Sequence, residues 1–305
     1  MTATWSDQDK KVLAGIVLFN PDIRQLEKNI QALAPQTHEI LLVDNSPNEM
    51  EEVVQLQNKY GLKRIANQAN LGIAKALNQI LNYAKENGYQ WYLTMDQDSL
   101  VADNLTASLL EAADEKTGIV CPFLLNNQKI TMEEYQAMDL PFRQQITDPI
   151  LCITSASLNR TEAAIEAGGY REDLFIDCVD VEFNIRMMEA GWQIIRCPKT
   201  WLVQEMGQGK PVKLMAALYK MTGKKAFQRL SVTPVYSPFR LYYIARNSRY
   251  VHHLYPTQSG RQMTPGWMMM QFAYYTLSYP LSSSRIEMWK AILKGWKDAK
   301  KMEEN

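Results

Sequence analysis

Asp96-Gln97-Asp98 closes the apolar run Trp91-Tyr92-Leu93-Thr94-Met95. A short apolar run of this kind reads as a buried strand. Two carboxylates at its carboxyl end are oxygen ligands suited to a hard divalent cation such as Mg²⁺ or Mn²⁺. Asp side chains at i and i+2 share one side of an extended chain, and a turn after the strand lets both reach one ion. The simplest cargo for that ion is a diphosphate. The same acids also suit the first residues of a solvated loop.

The elements around this motif give it a setting. Val12 to Phe19 is a continuous apolar run stopped by Asn20-Pro21, a strand buried on both faces. Ile23 to Leu33 has helical apolar spacing. Glu39 to Val43 is a second strand, ended by the turn-rich Asp44-Asn45-Ser46-Pro47-Asn48. Glu49 to Tyr60 reads as a helix and Leu62 to Ala66 as a third strand. Leu71 to Asn87 is a helix with Leu71, Ala74, Leu77, Leu81 and Ala84 on one side and Gly88 beyond its end. Strand and helix in alternation imply an α/β fold, a mostly parallel, Rossmann-like sheet flanked by helices. Ligands bind such sheets beyond the carboxyl ends of the strands. Phe19-Asn20, Asp44-Asn45, Asn67 to Gly72 and Asp96 to Asp98 all fall at that edge.

After Asp98 the alternation weakens. Gly118 to Pro122 reads as a strand, residues 126–148 as an irregular loop and Ile150 to Leu158 as extended chain. Thr161 to Ala167 and Val179 to Ala190 read as helices, and Gln193 to Pro198 as a strand. We place a domain boundary at residue 235, with 1–235 as the α/β domain and 236–305 as a helical extension. From Tyr236 onward there are ten Lys or Arg and four Asp or Glu, with Trp267, Tyr279, Trp289 and Trp296 among the aromatics. Ile286, Trp289, Leu293 and Trp296 share one helical face, as in a helix lying on a membrane surface. The alternatives for this extension are packing on the α/β domain or a homodimer contact.

Composition narrows the function. The 305 residues carry 33 Lys or Arg and 33 Asp or Glu, and 46% are apolar. That length suits one large domain, or one with an appendage. Zero net charge argues against a general nucleic-acid binder. Cys121, Cys152, Cys178 and Cys197 lack metal-ligand spacing and read as single thiols in a reducing compartment. The three histidines, His38, His252 and His253, form no ordinary metal triad. The start is unlike a secretory signal, and no apolar run reaches about 18 residues. We expect a cytoplasmic protein, with peripheral contact to the inner face of the membrane left open.

In order and spacing, several segments match a known family. They are Gly15-Ile16-Val17-Leu18-Phe19-Asn20-Pro21, Val43-Asp44-Asn45-Ser46, Asn70 to Asn78 and Met95-Asp96-Gln97-Asp98-Ser99. Gly168-Gly169-Tyr170, Phe175-Ile176-Asp177 running into Val179-Asp180-Val181-Glu182, Arg186 and Gly191 follow. Ser237 to Tyr243 and Arg246-Asn247 complete the set. On these residues the chain resembles the inverting nucleotide-sugar glycosyltransferases of family 2, with the GT-A fold, and within them bacterial rhamnosyltransferases.

The resemblance implies the following roles. Asp44 grips the nucleobase, with Phe19 and Asn20 beside it; a turn cap at Ser46 is the alternative. Asn70 and Gly72 contact the nucleotide at a helix mouth, or Asn70 caps the helix. Lys75 reads as solvated. Asp96 contacts the ribose or the metal shell, and Asp98 ligates Mn²⁺ or Mg²⁺. Asp180 is the catalytic base, with Asp177 and Glu182 as rivals. Many relatives carry a histidine where Gln204 stands, so Gln204, or Glu205, is a candidate further metal-side ligand. Relatives also often have glycine where this chain has Ala156. The implied donor is dTDP-rhamnose and the acceptor a lipid-linked saccharide. Rival readings are a non-catalytic nucleotide-sugar binder and a haloacid-dehalogenase-type phosphatase. The latter expects Asp-x-Asp on its first strand and Thr or Val where Leu100 stands. A dinucleotide oxidoreductase is disfavoured, because no G-x-G-x-x-G follows the first strand.

Overall fold

The computed structural model describes residues 11–125, 130–204, 210–224, 227–228, 230–233, 235–278 and 284–303. Four strands build its parallel half: β1 (Val12–Leu18), β2 (Glu39–Asp44), β3 (Lys63–Ala66) and β4 (Trp91–Asp96). They pair in the spatial order β3-β2-β1-β4, with Leu18 beside Asp44 and Val17 beside Asp96. The connecting helices are α1 (Ile23–Leu33), α2 (Glu51–Tyr60) and α3 (Ile73–Glu86). β1 is apolar throughout because helices cover both faces of such a sheet. Leu13, Ile16, Leu18, Leu26, Leu42 and Trp91 are fully or almost fully buried.

Beyond β4 the sheet turns mixed. β5 (Ser99–Val101), β6 (Thr117–Leu125), β7 (Gln144–Ile146), β8 (Ser157–Arg160) and β9 (Gln193–Gln204) complete it. β8 lies antiparallel between β4 and β6. β9 runs parallel to β6 and pairs antiparallel with β5 and β7. The helices here are α4 (Leu105–Ala112), α5 (Met132–Gln136), α6 (Thr161–Glu166) and α7 (Val179–Glu189).

The structure corrects several sequence expectations in this half. Within the segment read as irregular lie α5, closed by a Thr131–Glu134 capping box, and β7; residues 126–129 are outside the described set. Ile150 to Leu158 is not one extended run. It opens with a 3₁₀ turn, Pro149–Leu151, and strand pairing starts only at Ser157. Its apolar side chains come from facing a cavity and the core, not from a strand ladder. β9 continues past Pro198 because β5 and the end of β6 offer it partners as far as Gln204.

The chain divides into two compact units, Met1–Glu205 and Met206–Asn305, ahead of the boundary placed at 235. In the second unit a two-stranded pairing of Lys210–Pro211 with Val232–Thr233 accompanies helices Lys213–Thr222, Pro238–Leu254, Pro265–Ser278 and Arg285–Glu303. Its core is Leu241, Ala245, Met268, Phe272, Met288 and Ile292. Helices 238–254 and 285–303 touch so closely at Gly295 that a Cβ there would strike the Tyr242 carbonyl.

The expected single face on the last helix splits. Trp289 and Trp296 pack on this core, whereas Ile286 and Leu293 are 70% and 58% exposed. The buried stripe is Met288, Ile292, Gly295 and Ala299, which draws both indoles inward. Among the described residues no helix is long and apolar enough to cross a membrane. Glu205 and Tyr279 lie outside the described residues.

Candidate active site

The four polar clusters expected at one sheet edge are joined there by hydrogen bonds. Asn45 N–H donates to Leu18 O, and Asn67 N–H to Asp44 O, both 2.9 Å. Asn20, with φ of 45°, donates its N–H to Ser46 Oγ at 2.9 Å. Gln97, the middle residue of the acidic motif, closes the β4 end onto the β1 end. Its Oε1 accepts from Phe19 N–H at 2.7 Å, and its Nε2 donates to Phe19 O at 3.3 Å. Asn67, Asn45 and Gln79 form an amide chain, and Asn45 Nδ2 donates to Gly72 O at 3.0 Å. Gln97 and Asn67 carry no ionisable group, so charge patterning passed over them.

On the base side, Asp44 is 2% exposed. Its Oδ1 accepts from Ser46 N–H at 3.0 Å, the turn cap weighed as an alternative, and its Oδ2 faces Arg64 at 3.5 Å. Arg64 is also paired with Glu49 at 2.9 Å. Phe19 is 46% exposed at the rim. Asn70 Oδ1 accepts from Gly72 N–H at 3.0 Å, so it does cap the mouth of α3. Gly72 has φ of 84° and lies against Phe175: a Cβ would stand 2.7 Å from the Phe175 carbonyl. That carbonyl takes the N–H of Ile73 at 2.7 Å. Lys75 is ion-paired with Glu172 at 3.1 Å rather than simply solvated.

At the acidic end of the sheet edge, β4 stops at Asp96 and the chain turns through Gln97-Asp98. Asp98 is exposed and Asp96 partly buried. Asp96 Oδ2 accepts from Gln204 Nε2 at 2.8 Å. The sheet register sets this meeting, because Gln204 pairs with Ser99 just past the turn. Asp96 N–H donates to Ser155 Oγ at 3.2 Å, and Ser155 Oγ lies 2.9 Å from Ser99 Oγ. Ala156 follows with φ of 58°, a conformation that glycine adopts more readily. Among the described residues there is no group of three or more His, Cys, Asp or Glu fit to hold an ion. Two aspartates and an amide oxygen do fit a hard cation whose remaining ligands are phosphate oxygens and water.

Asp180 opens α7, where the dipole favours an acid. Its Oδ1 accepts from Val181 N–H at 2.8 Å. Burial of the carboxyl pushes its pKa from the ordinary 3.8 to about 6, against the lowering by Val181 N–H and with help from the charge of Asp177. Asp177, with φ of 63°, lies in a loop whose neighbours Phe175 and Cys178 are also left-handed. Glu182 cannot share the role. It is fully buried and held by Arg171 at 3.1 Å and Arg186 at 2.7 Å. Arg186 also donates to the carbonyls of Ala167 and Gly169.

Asp180 and Asp96 stand on different elements, and the segment from Pro149 to Ser157 joins them. Asn184 of α7 donates to Pro149 O and Cys152 O at 2.8 and 2.7 Å. Thr94 of β4 donates to Thr154 O at 2.6 Å, and Ser155 reaches Asp96.

A sheet of this order, with antiparallel strands beyond its parallel half and Asp-x-Asp ending the fourth strand, has the GT-A architecture. A model of glycosyl transferase family 2 matches residues 15–166. The chain is 27% identical over 259 residues to dTDP-rhamnosyl transferase RfbF of Shigella flexneri, over 79% of each chain. Its fold is similar to GalNAc-T7 crystallised with UDP, GalNAc and Mn²⁺, at TM-score 0.55 and 14% identity, over 97% of this chain and 57% of that one. It is also similar to Staphylococcus aureus TarS 1–349 in complex with UDP-GlcNAc, at TM-score 0.51 and 13% identity, over 95% of this chain and 90% of that one. The chain belongs to glycosyltransferase family 2.

Asp180 and Glu182, both in the first turn of α7, predict opposite stability effects. Asp180 releases its proton near pH 6 when folded and near 3.8 when unfolded. Between those values the folded state binds more protons, so stability falls as pH rises, and the whole loss is present at pH 7. Asp180→Asn is expected to raise urea-unfolding stability at pH 7 by about 1–3 kcal/mol. Glu182→Gln, which leaves Arg186 without its anion, is expected to lower it by about 3–5 kcal/mol.

Proposed function

We propose that this glycosyltransferase moves L-rhamnose from dTDP-β-L-rhamnose to a saccharide acceptor by one displacement that inverts the anomeric carbon. The observation that carries this reading is Asp180: an acid held at a helix head with its pKa raised to about 6, on a helix that segment 149–157 ties to the strand of Asp96. Similarity to the Shigella flexneri rhamnosyl transferase supports the sugar and the nucleotide.

In this reading the base lies beside Phe19, Asn20 and Asp44. Each carboxylate oxygen has two lone pairs, so Asp44 keeps acceptor capacity for a ring imide beyond Ser46 and Arg64. Asn70 and Gly72 flank the nucleotide. Asp96, Asp98 and the Gln204 amide oxygen would hold Mn²⁺ or Mg²⁺. A bound cation offsets charge on the departing nucleoside diphosphate. Asp180 takes the acceptor hydroxyl's proton as that oxygen bonds to the anomeric carbon and the bond to the diphosphate breaks.

Asp180→Asn is expected to lower turnover by about 10²–10⁴ with donor affinity little changed. In the wild type, kcat/KM is expected to rise with pH and level off above about 6, where Asp180 is ionised. Near-normal turnover of the variant removes Asp180 from the role.

Donor identity is read by thermal shift with and without Mn²⁺, since a ligand of the folded form raises Tm. The thymidine-linked rhamnose donor is expected to give the largest rise, and more with Mn²⁺ present. A response confined to uridine-linked sugars discards rhamnose.

The second unit is proposed to rest on an anionic membrane surface, where a lipid-linked acceptor resides. Exposed Phe239, Met270, Ile286 and Leu293 beside the basic residues of this segment support it. Ile286→Glu with Leu293→Glu is expected to reduce co-sedimentation with anionic vesicles; equal pelleting rejects the membrane contact.

A further inference from the structure

We propose that the cavity beside Ser155 receives the C6 methyl group of a 6-deoxyhexose donor and sets which sugar is transferred. The inference rests on the donor reading above. The cavity encloses about 160 Å³, below the roughly 300 Å³ of the smallest drug-sized sites. It therefore suits one edge of a sugar ring rather than a nucleotide.

Leu124, Ile150, Leu151, Ile153 and Leu202 make its walls aliphatic. Of the polar groups at its border, the Ser155 hydroxyl and one arm of Arg196 are engaged within the protein. Ser155 Oγ meets Ser99 Oγ and Asp96 N–H, and Arg196 Nη2 donates to Leu151 O at 2.6 Å. A methyl group gains from leaving water here. A hydroxymethyl group in the same place sets its hydroxyl among aliphatic carbons, and a hydroxyl buried without a partner is disfavoured.

Position agrees with chemistry. Ser155 ties one side of the cavity to the cation-side aspartate. Leu151 and Ile153 flank Cys152, whose carbonyl is held by Asn184 of α7 and whose thiol feels the charge of Asp180. The cavity is thus lined by the segment that ties Asp96 to α7, and on the donor reading the transferred ring occupies the interval between these two. An aliphatic wall discriminates modestly: a pocket of this kind rejects an added hydroxyl by about a hundredfold at most.

The test is calorimetric titration of the full chain, with Mn²⁺, by dTDP-L-rhamnose and by its 6-hydroxy counterpart dTDP-L-mannose. The wild type is expected to bind the deoxy donor about 10–100-fold more tightly. Ile153→Ser and Leu151→Asn are expected to bring the two affinities within about threefold, chiefly by weakening the rhamnose donor. Leu151 is 52% exposed, so its variant is expected to fold, and circular dichroism melting checks both. A wild type that prefers rhamnose while both folded variants keep its ratio overturns the pocket alone. Absence of any preference in the wild type does the same. A wild type that binds neither donor overturns the donor reading and this pocket with it.

Discussion

A carboxylate with no solvent contact must be answered by cations, because a lone buried charge is very costly. Glu182 is that carboxylate, and its partners organise the approach to Asp180. Arg186 neutralises it from the next helical turn while donating to the carbonyls of Ala167 and Gly169. This fixes the Gly168-Gly169 turn against α7. The adjoining Tyr170 N–H donates to Asn78 Oδ1 at 2.7 Å, and Asn78 Nδ2 returns a bond to Tyr170 O at 2.8 Å. Asn78 belongs to α3, whose mouth carries Gly72. A few residues on, Phe175 O takes the first N–H of the same helix. The helix that bears Asp180 and the helix headed by Gly72 are thus tied through one loop, and its geometry follows from a buried charge two residues beyond Asp180.

The parallel half was legible because its elements are long and its periods clean. Val12 to Leu18 is continuously apolar, α1 and α3 each show one apolar stripe, and the carboxyl-edge clusters are rich in Asn, Asp and Gly. The second half obeys a different logic. β5 and β7 are three residues each and exist because β9 is there to pair with them, which no local pattern announces. Helix α4, Leu-Thr-Ala-Ser-Leu-Leu-Glu-Ala, is apolar enough to be buried on several sides and so shows little periodicity. Ile150 to Leu158 read as extended chain because several of its side chains are apolar, yet the Cys152 and Thr154 carbonyls are taken by Asn184 and Thr94 side chains. Acidic site residues stood out by type. The amides that aim them, Gln97, Asn67, Asn78 and Asn184, are polar residues of ordinary appearance whose partners lie far away in sequence.

Gln204 shows how register substitutes for motif. Strand β9 carries it to the β4–β5 turn, where its amide donates to Asp96 Oδ2. An amide differs from a carboxylate in offering both a donor and an acceptor. Facing a carboxylate oxygen, the donor end is the one attracted. A hard cation beside the same carboxylate favours the opposite orientation, with the oxygen inward.

The donor set has a consequence for affinity. Asp96, Asp98 and one neutral amide oxygen are few ligands for an ion that takes six or more oxygens. Under the proposed function most of its shell would come from water and from a diphosphate. An ion bound mainly through the donor gains affinity when the donor is present, and by reciprocity the donor gains affinity from the ion. Gln97 fixes the turn that carries the aspartate pair on Phe19, and Ser155 holds the Asp96 backbone. Under the proposed function the protein would supply the position and the nucleotide most of the coordination, so that cation and sugar nucleotide would bind as one coupled unit.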